Sequence, residues 1–187
     1  KLEAEVITID RKAQVLTANG KVFTQTRERP KAGAKQPQAQ LFTLVRAPEM
    51  EYREADKLAH YKGGVHLIRG DLKVNSSELK AWFTKDDPKT PADEGNSLQR
   101  ANADGDVDIL QTSLDRTRKG KSDHALYEIP ESKVVLTGGA PVFTDSLQGT
   151  TRGQMITFFA DNDRLVVDGA TAEPTESRLK RKKKSGK

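Results

Sequence analysis

No cysteine occurs among the 187 residues, which excludes disulfides, thiolate metal ligands and cysteine nucleophiles. Aromatic residues make up only 5% and hydrophobic residues 34%, against 32% charged. That supply is thin for a compact globule and suits a slender β architecture with much surface. No run of 18 apolar residues is present, and no signal-peptide core follows Lys1. The expectation is a soluble chain, with any export signal lying upstream of Lys1. Nucleotide-binding and hydrolase signatures are missing too: there is no GxxxxGK[ST], no GxGxxG and no GxSxG.

The formal charge of +5 is concentrated at one end. Arg178 to Lys187 holds seven basic groups and no acid, so the remaining chain carries −2. Without interleaved aromatics or an RNP-like motif, the run Lys180 to Lys184 reads as a solvated tail, and no nucleic-acid surface is expected. His60, His66 and His124 are scattered, without the spacing of a metal site. Asp104, Asp106 and Asp108 alternate along one segment, but a glycine follows Asp104 at once and the calcium-loop pattern is not met. Carboxylates are too plentiful to nominate an acid–base pair. No catalytic residue, metal or cofactor is therefore expected.

What is present is short-period alternation. Val65-His66-Leu67, Val107-Asp108-Ile109, Leu79 to Phe83, Met155 to Phe159 and Arg164 to Val167 alternate as half-buried strands do. Asn19-Gly20, Gly63-Gly64, Asp104-Gly105, Gly138-Gly139 and Asp168-Gly169 tolerate positive φ and predict two-residue hairpin turns. Met50 to Tyr61 has helix-forming composition, yet a 75-residue shift lays it on Tyr127 to Leu136, which holds Pro130 and Val134-Val135. Both copies are therefore predicted to be strand, turn, strand. The same comparison lays Gly63-Gly64 on Gly138-Gly139 and, with one residue inserted, Trp82-Phe83 on Phe158-Phe159. Shifts of 43 and 42 align Gly20 with Gly63 and Gly63 with Gly105, each followed two residues or fewer later by Val22, Val65 or Val107. The chain reads as a stacked array of strand, glycine turn and strand. Polar stretches at 25–40 and 84–97 predict mobile loops, 112–123 a weaker one, and 171–187 a basic disordered tail.

The series Tyr127-Glu128-Ile129, Val135 to Gly139, Pro141-Val142-Phe143, Gln148 to Gly153 and Ile156 to Phe159 resembles the OstA-like repeats of lipopolysaccharide-transport periplasmic proteins. Tyr52, Tyr61 to Val65, Leu72 and Leu79 to Phe83 are similar, and Gly20-Lys21-Val22 and Gly105-Asp106-Val107 match the central turn. The likeness spans about residues 4–170 and is nearest the soluble bridge members; an anchored component and a translocon domain share the fold. It implies an all-β, open, twisted β-jelly roll of two facing antiparallel sheets, forming one domain over 1–170. It also implies a non-enzymatic periplasmic protein that passes lipopolysaccharide along an apolar groove. Its partners would be lipopolysaccharide, other transport proteins and further copies head to tail, joined through edge strands near Glu3 to Ile9 and Arg164 to Asp168. Val65, Leu67, Leu79, Phe83, Ile109, Val142 and Phe159 are the expected groove lining, although each equally fits a packed core. A ligand-free adhesin-like scaffold and an anionic-polymer binder acting through the tail are the competing readings.

Overall fold

The computed structural model describes residues 1–27, 42–84, 98–160, 162–169 and 176–179. Among these the regular structure is entirely β: fourteen strands, paired antiparallel throughout, in one sheet that does not close on itself. In chain order they are β1 (Leu2–Glu3), β2 (Val6–Asp10), β3 (Val15–Arg27), β4 (Phe42–Arg53), β5 (Leu58–Arg69), β6 (Leu72–Phe83), β7 (Leu98–Thr112), β8 (Thr117–Glu128), β9 (Lys133–Thr137), β10 (Val142–Asp145), β11 (Gly149–Arg152), β12 (Met155–Phe159), β13 (Arg164–Asp168) and β14 (Glu176–Leu179). The helix-like composition of Met50 to Tyr61 is overridden: β4 and β5 form a hairpin around Glu54 to Lys57.

The glycine pairs are not the hairpin turns that their composition predicts. Gly20, Gly63-Gly64 and Gly105 lie in the middle of β3, β5 and β7, where the ladder slips at Asn19/Val22, Lys62/Val65 and Asp104/Val107. Gly20-Lys21, Gly63-Gly64 and Gly105-Asp106 each place two successive residues at positive φ. A type I′ hairpin demands the same backbone signature, so composition alone does not separate a turn from a bulge. Ala47-Pro48 of β4 and Ser76-Ser77 of β6 fall on the same line, and Pro48 needs no ladder donor there. The bulges together crease the sheet. Gly138 to Ala140 complete the line by dividing β9 from β10, while Gly169 merely follows β13.

Gly105 shows why the crease needs glycine. Its φ is +78°, and an added Cβ would stand 2.6 Å from Ser77 Oγ and 2.8 Å from Ser77 Cβ. We expect Gly105→Ala to cost about 1–3 kcal/mol through backbone strain. A urea midpoint equal to that of the parent protein would show that the crease tolerates a side chain.

The crease divides the sheet into two leaves of ten strands, sharing β3 to β8. The first leaf contains 22–27, 42–46, 65–69, 72–75, 107–112 and 117–122 together with β1, β10, β11 and β14. The second contains 15–19, 49–53, 58–62, 78–83, 98–104 and 124–128 with β2, β9, β12 and β13. Immediately past the crease, Val22, Val65 and Val107 are almost wholly buried, set against the smaller Ala47, Ser76 and Ser122. Alternating large and small side chains lets the leaves approach along this line. The recurring glycine and valine of the sequence therefore make the fold line of a jelly roll.

Three further expectations change. Residues 25–27 belong to β3 and 117–123 to β8, where the polar composition had pointed to loops. Within 171–187, expected to be unstructured, Glu176–Leu179 forms β14 on β11. The open edge of β11 offers unpaired backbone groups, and backbone pairing recruits a segment whose side chains carry no strand signal. Residues 113–116 do form a loop, between β7 and β8, and Thr84 follows β6; the remaining residues of the predicted loops at 25–40 and 84–97, and most of the tail, lie outside the described residues.

Candidate functional site: an apolar trough between the leaves

The inward positions of the second leaf form two rows. In one, Tyr52, Ala59, Ala81, Ala101, Tyr127, Val134 and Phe158 stand in register on successive strands. In the other, Tyr61, Leu79, Ala103, Ala125, Leu136 and Ile156 do so. Alanine at Ala81, Ala101, Ala103 and Ala125 leaves space beneath the facing first leaf in the middle of the sheet, although all four are buried in the common core. An unfilled trough results.

Its space divides into three adjoining parts. Near the N-terminal end a part of about 30 Å³ is bounded by Thr26, Val45 and Leu67 of the first leaf and by Leu79, Phe83 and Ala101 of the second. The middle part, about 60 Å³, shares Leu67, Leu79 and Ala101 and adds Val74, Ile109 and Ala125. At the C-terminal end the space widens to about 170 Å³ among Ile109, Arg118, Tyr127, Leu136, Phe143 and Phe158. Shared walls make these adjoining parts of one mainly apolar trough.

Three ties hold the leaves together across it. Thr24 Oγ1 and Tyr61 Oη are 2.9 Å apart, both buried. Burial raises the Tyr61 pKa, while the Thr24 hydrogen bond works in the opposite direction. Phe143 of the first leaf stacks on Phe158 of the second with centroids 5.2 Å apart. Beyond them Arg116, just before β8, and Arg118 of the first leaf both pair with Asp163, on the turn between β12 and β13.

Asp145 anchors that last tie. Its side chain is almost fully buried, opposite Arg118 in the ladder, and its oxygens accept from Leu147 N at 2.8 Å, Gln148 N at 3.2 Å, Arg116 Nε at 2.7 Å and Arg118 Nε at 3.2 Å. Burial pushes its carboxyl up, but the Leu147 N–H, the Arg116 guanidinium and the remaining donors outweigh it and hold it below the ordinary value. Hydrogen bonding from Arg116 comes first in holding Asp163 low as well.

Of the residues expected to line a groove, Leu67, Leu79, Phe83 and Ile109 bound the trough. Val65 shares their face but is packed at the crease with 1% exposure. Val142 and Phe159 do not border it; the neighbouring Phe143 and Phe158 do. Phe159 instead lies on the other face of β12 under the Arg164 guanidinium, 5.0 Å from its ring centre. Each offset is one residue, enough to reverse the facing of a strand. The extra residues of the Gly138 to Pro141 break supply the first slip. The histidines remain apart: His60 pairs with Glu78, His66 with Asn75 and His124 with Asp104.

Residues 44–164 match the protein family described as LptA/(LptD N-terminal domain) LPS transport protein. A solved structure of similar fold is that of LptH, "the LptA homologous periplasmic component of the conserved lipopolysaccharide transport device from Pseudomonas aeruginosa". It is 15% identical, with a TM-score of 0.62 over 74% of this chain and 95% of that one. No curated protein matches.

Proposed function

Because the chain belongs to the LptA/(LptD N-terminal domain) family of lipopolysaccharide transport proteins, we propose that it acts in the periplasm as a non-enzymatic carrier. The acyl chains of lipopolysaccharide would lie in the trough between its leaves. The observation that carries this reading is the row of adjoining, mainly apolar spaces between the leaves, partly open to solvent, where two facing sheets would otherwise interdigitate. Each buried methylene is worth about 0.8 kcal/mol, so a few carbons of each chain give useful affinity without polar recognition. The space is smaller than the roughly 300–1,000 Å³ of ordinary ligand pockets, so loading requires the leaves to part about the crease.

Transfer onward has a route through the edges. Strands β2 and β13, five residues each, pair with one neighbour apiece and bound the second leaf at opposite ends. Ile7 and Ile9 stand opposite Ala18 and Leu16, on the inward face, yet are 43% and 64% exposed. They extend the apolar floor to the very edge. With ten alternating strands from edge to edge, both edges included, a copy that continued the leaf head to tail would place its β2 antiparallel to β13. The apolar floor would then run from one protein into the next, whether a second copy or another member of the transport chain.

Photocrosslinking side chains introduced in cells provide the test. Adducts with lipopolysaccharide are expected from Leu67, Phe83 and Ile109, and none from Val142 or Phe159, which do not border the trough. Silence at all three trough positions, with the protein folded and present, would remove the carrier reading.

A further inference from the structure

The two arginines at the C-terminal mouth are arranged for more than a tie. Both Nε groups are committed to the buried Asp145, which fixes the planes of the guanidiniums. Arg116 Nη1 and Arg118 Nη2 then converge on one carboxylate, one on each oxygen of Asp163. Asp163 is 45% exposed, whereas the arginines are 16% and 15% exposed and Asp145 only 2%. The inner carboxylate is therefore a permanent anchor, and the outer one sits on the turn just before β13 at a φ of +57°.

The chemistry of the place is amphipathic. The Arg118 guanidinium lies 4.7 Å over the ring of Phe158, and that ring, Phe143 and Arg118 itself all border the widest part of the trough. An anion held by the Arg116 and Arg118 Nη groups would thus sit directly above the end of an apolar channel. Two guanidiniums with one carboxylate fixed behind them carry one net positive charge, which Asp163 balances; a phosphate oxyanion balances it as well and offers more acceptor oxygens.

We propose that Arg116 and Arg118 form a subsite for a phosphate group on a lipid whose acyl chains occupy the trough, with Asp163 as the internal group that the phosphate displaces. Displacement also unties the turn between β12 and β13 from the first leaf, so binding of the headgroup releases one of the three ties between the leaves. The subsite rests on the carrier reading above.

The test uses the full chain and three probes: lipid A bearing its phosphates, the same lipid A dephosphorylated, and pyrophosphate alone, titrated calorimetrically at fixed ionic strength. Asp163→Asn removes the competitor and is expected to tighten binding of the phosphorylated lipid about two- to fivefold, with no comparable gain for the dephosphorylated one. Arg118→Gln is expected to weaken the phosphorylated lipid about tenfold or more. Because that variant disturbs Asp145, Arg118→Gln with Asp145→Asn repeats the measurement in a charge-relieved background. An Asp163→Asn effect that is absent, or equal for both lipids, overturns the subsite while leaving the trough in place. Pyrophosphate binding as tightly as the phosphorylated lipid overturns its assignment to a headgroup. Failure of the parent protein to bind either lipid would instead overturn the carrier reading itself.

Discussion

Ala101→Leu is expected to reduce lipid affinity about 100-fold while leaving the fold intact. Ala101 stands at the junction of the N-terminal and middle parts of the trough, and its methyl group forms part of both walls. Its register neighbours are Ala81 on β6 and Tyr127 on β8, so added carbons have open space only toward the trough. Three extra carbons there exclude a similar length of acyl chain, at about 0.8 kcal/mol for each methylene, or roughly 2–3 kcal/mol in all. The protein itself gains buried apolar area, so its melting temperature should hold or rise. Lys80→Leu, an equally apolar change on the outward face of the adjacent strand, should leave lipid affinity within twofold. Equal effects of the two substitutions in a lipid titration would mean that the trough is not the binding surface.

Ala101 also marks where sequence reading ends. Strand periodicity, the recurrence of glycine followed by valine, and four of the trough residues were legible because alternation reports which side chains share a face. Leu67, Leu79, Phe83 and Ile109 are large, so they announce themselves. Alanines do not: Ala81, Ala101, Ala103 and Ala125 make the space by what they lack, and a small residue in a strand carries no signal until its register partners are known. Val142 and Phe159 were misplaced for a related reason. The repeats align Leu67 with Val142 at a shift of 75, but the structure sets Phe143 on the inward face, one residue further on. One residue added where the chain breaks between β9 and β10 reverses the facing of β10; by β12 a second has been added, so Phe158 answers Ala81 at a shift of 77 and the single insertion that laid Phe83 on Phe159 falls one residue short.

The crease was legible as composition and not as geometry. Paired positive-φ positions satisfy a hairpin and a bulge alike, and only the length of strand on either side decides. The ion cluster was not legible at all. Arg116, Arg118, Asp145 and Asp163 are separated by up to 47 residues and lie among many similar charges, so nothing local distinguishes them from solvated surface groups.

Within that cluster the two carboxylates should differ sharply. Asp145→Ala is expected to destabilise the protein by about 3–5 kcal/mol, because it removes the buried partner of two mostly buried guanidiniums, leaving them only the exposed Asp163, and frees the Leu147 and Gln148 N–H groups. Asp163→Asn, at an exposed partner, should cost no more than about 1 kcal/mol. At urea slopes of about 1–3 kcal/mol per molar, the first substitution shifts the midpoint by a molar or more and the second barely moves it. The same cluster sets the acid limit. Both carboxyls are held below their ordinary value of 3.8 in the folded protein, whereas in the unfolded chain they titrate near it. The unfolded state therefore binds more protons as pH falls through that range. The stabilisation is fully present above the ordinary value and disappears as pH drops through the lowered folded ones. The stability of the parent protein should accordingly fall below about pH 4–5, and that of Asp145→Ala should fall less steeply, having lost one of the two groups. Parallel pH profiles for the two proteins would place the acid-sensitive groups outside the cluster.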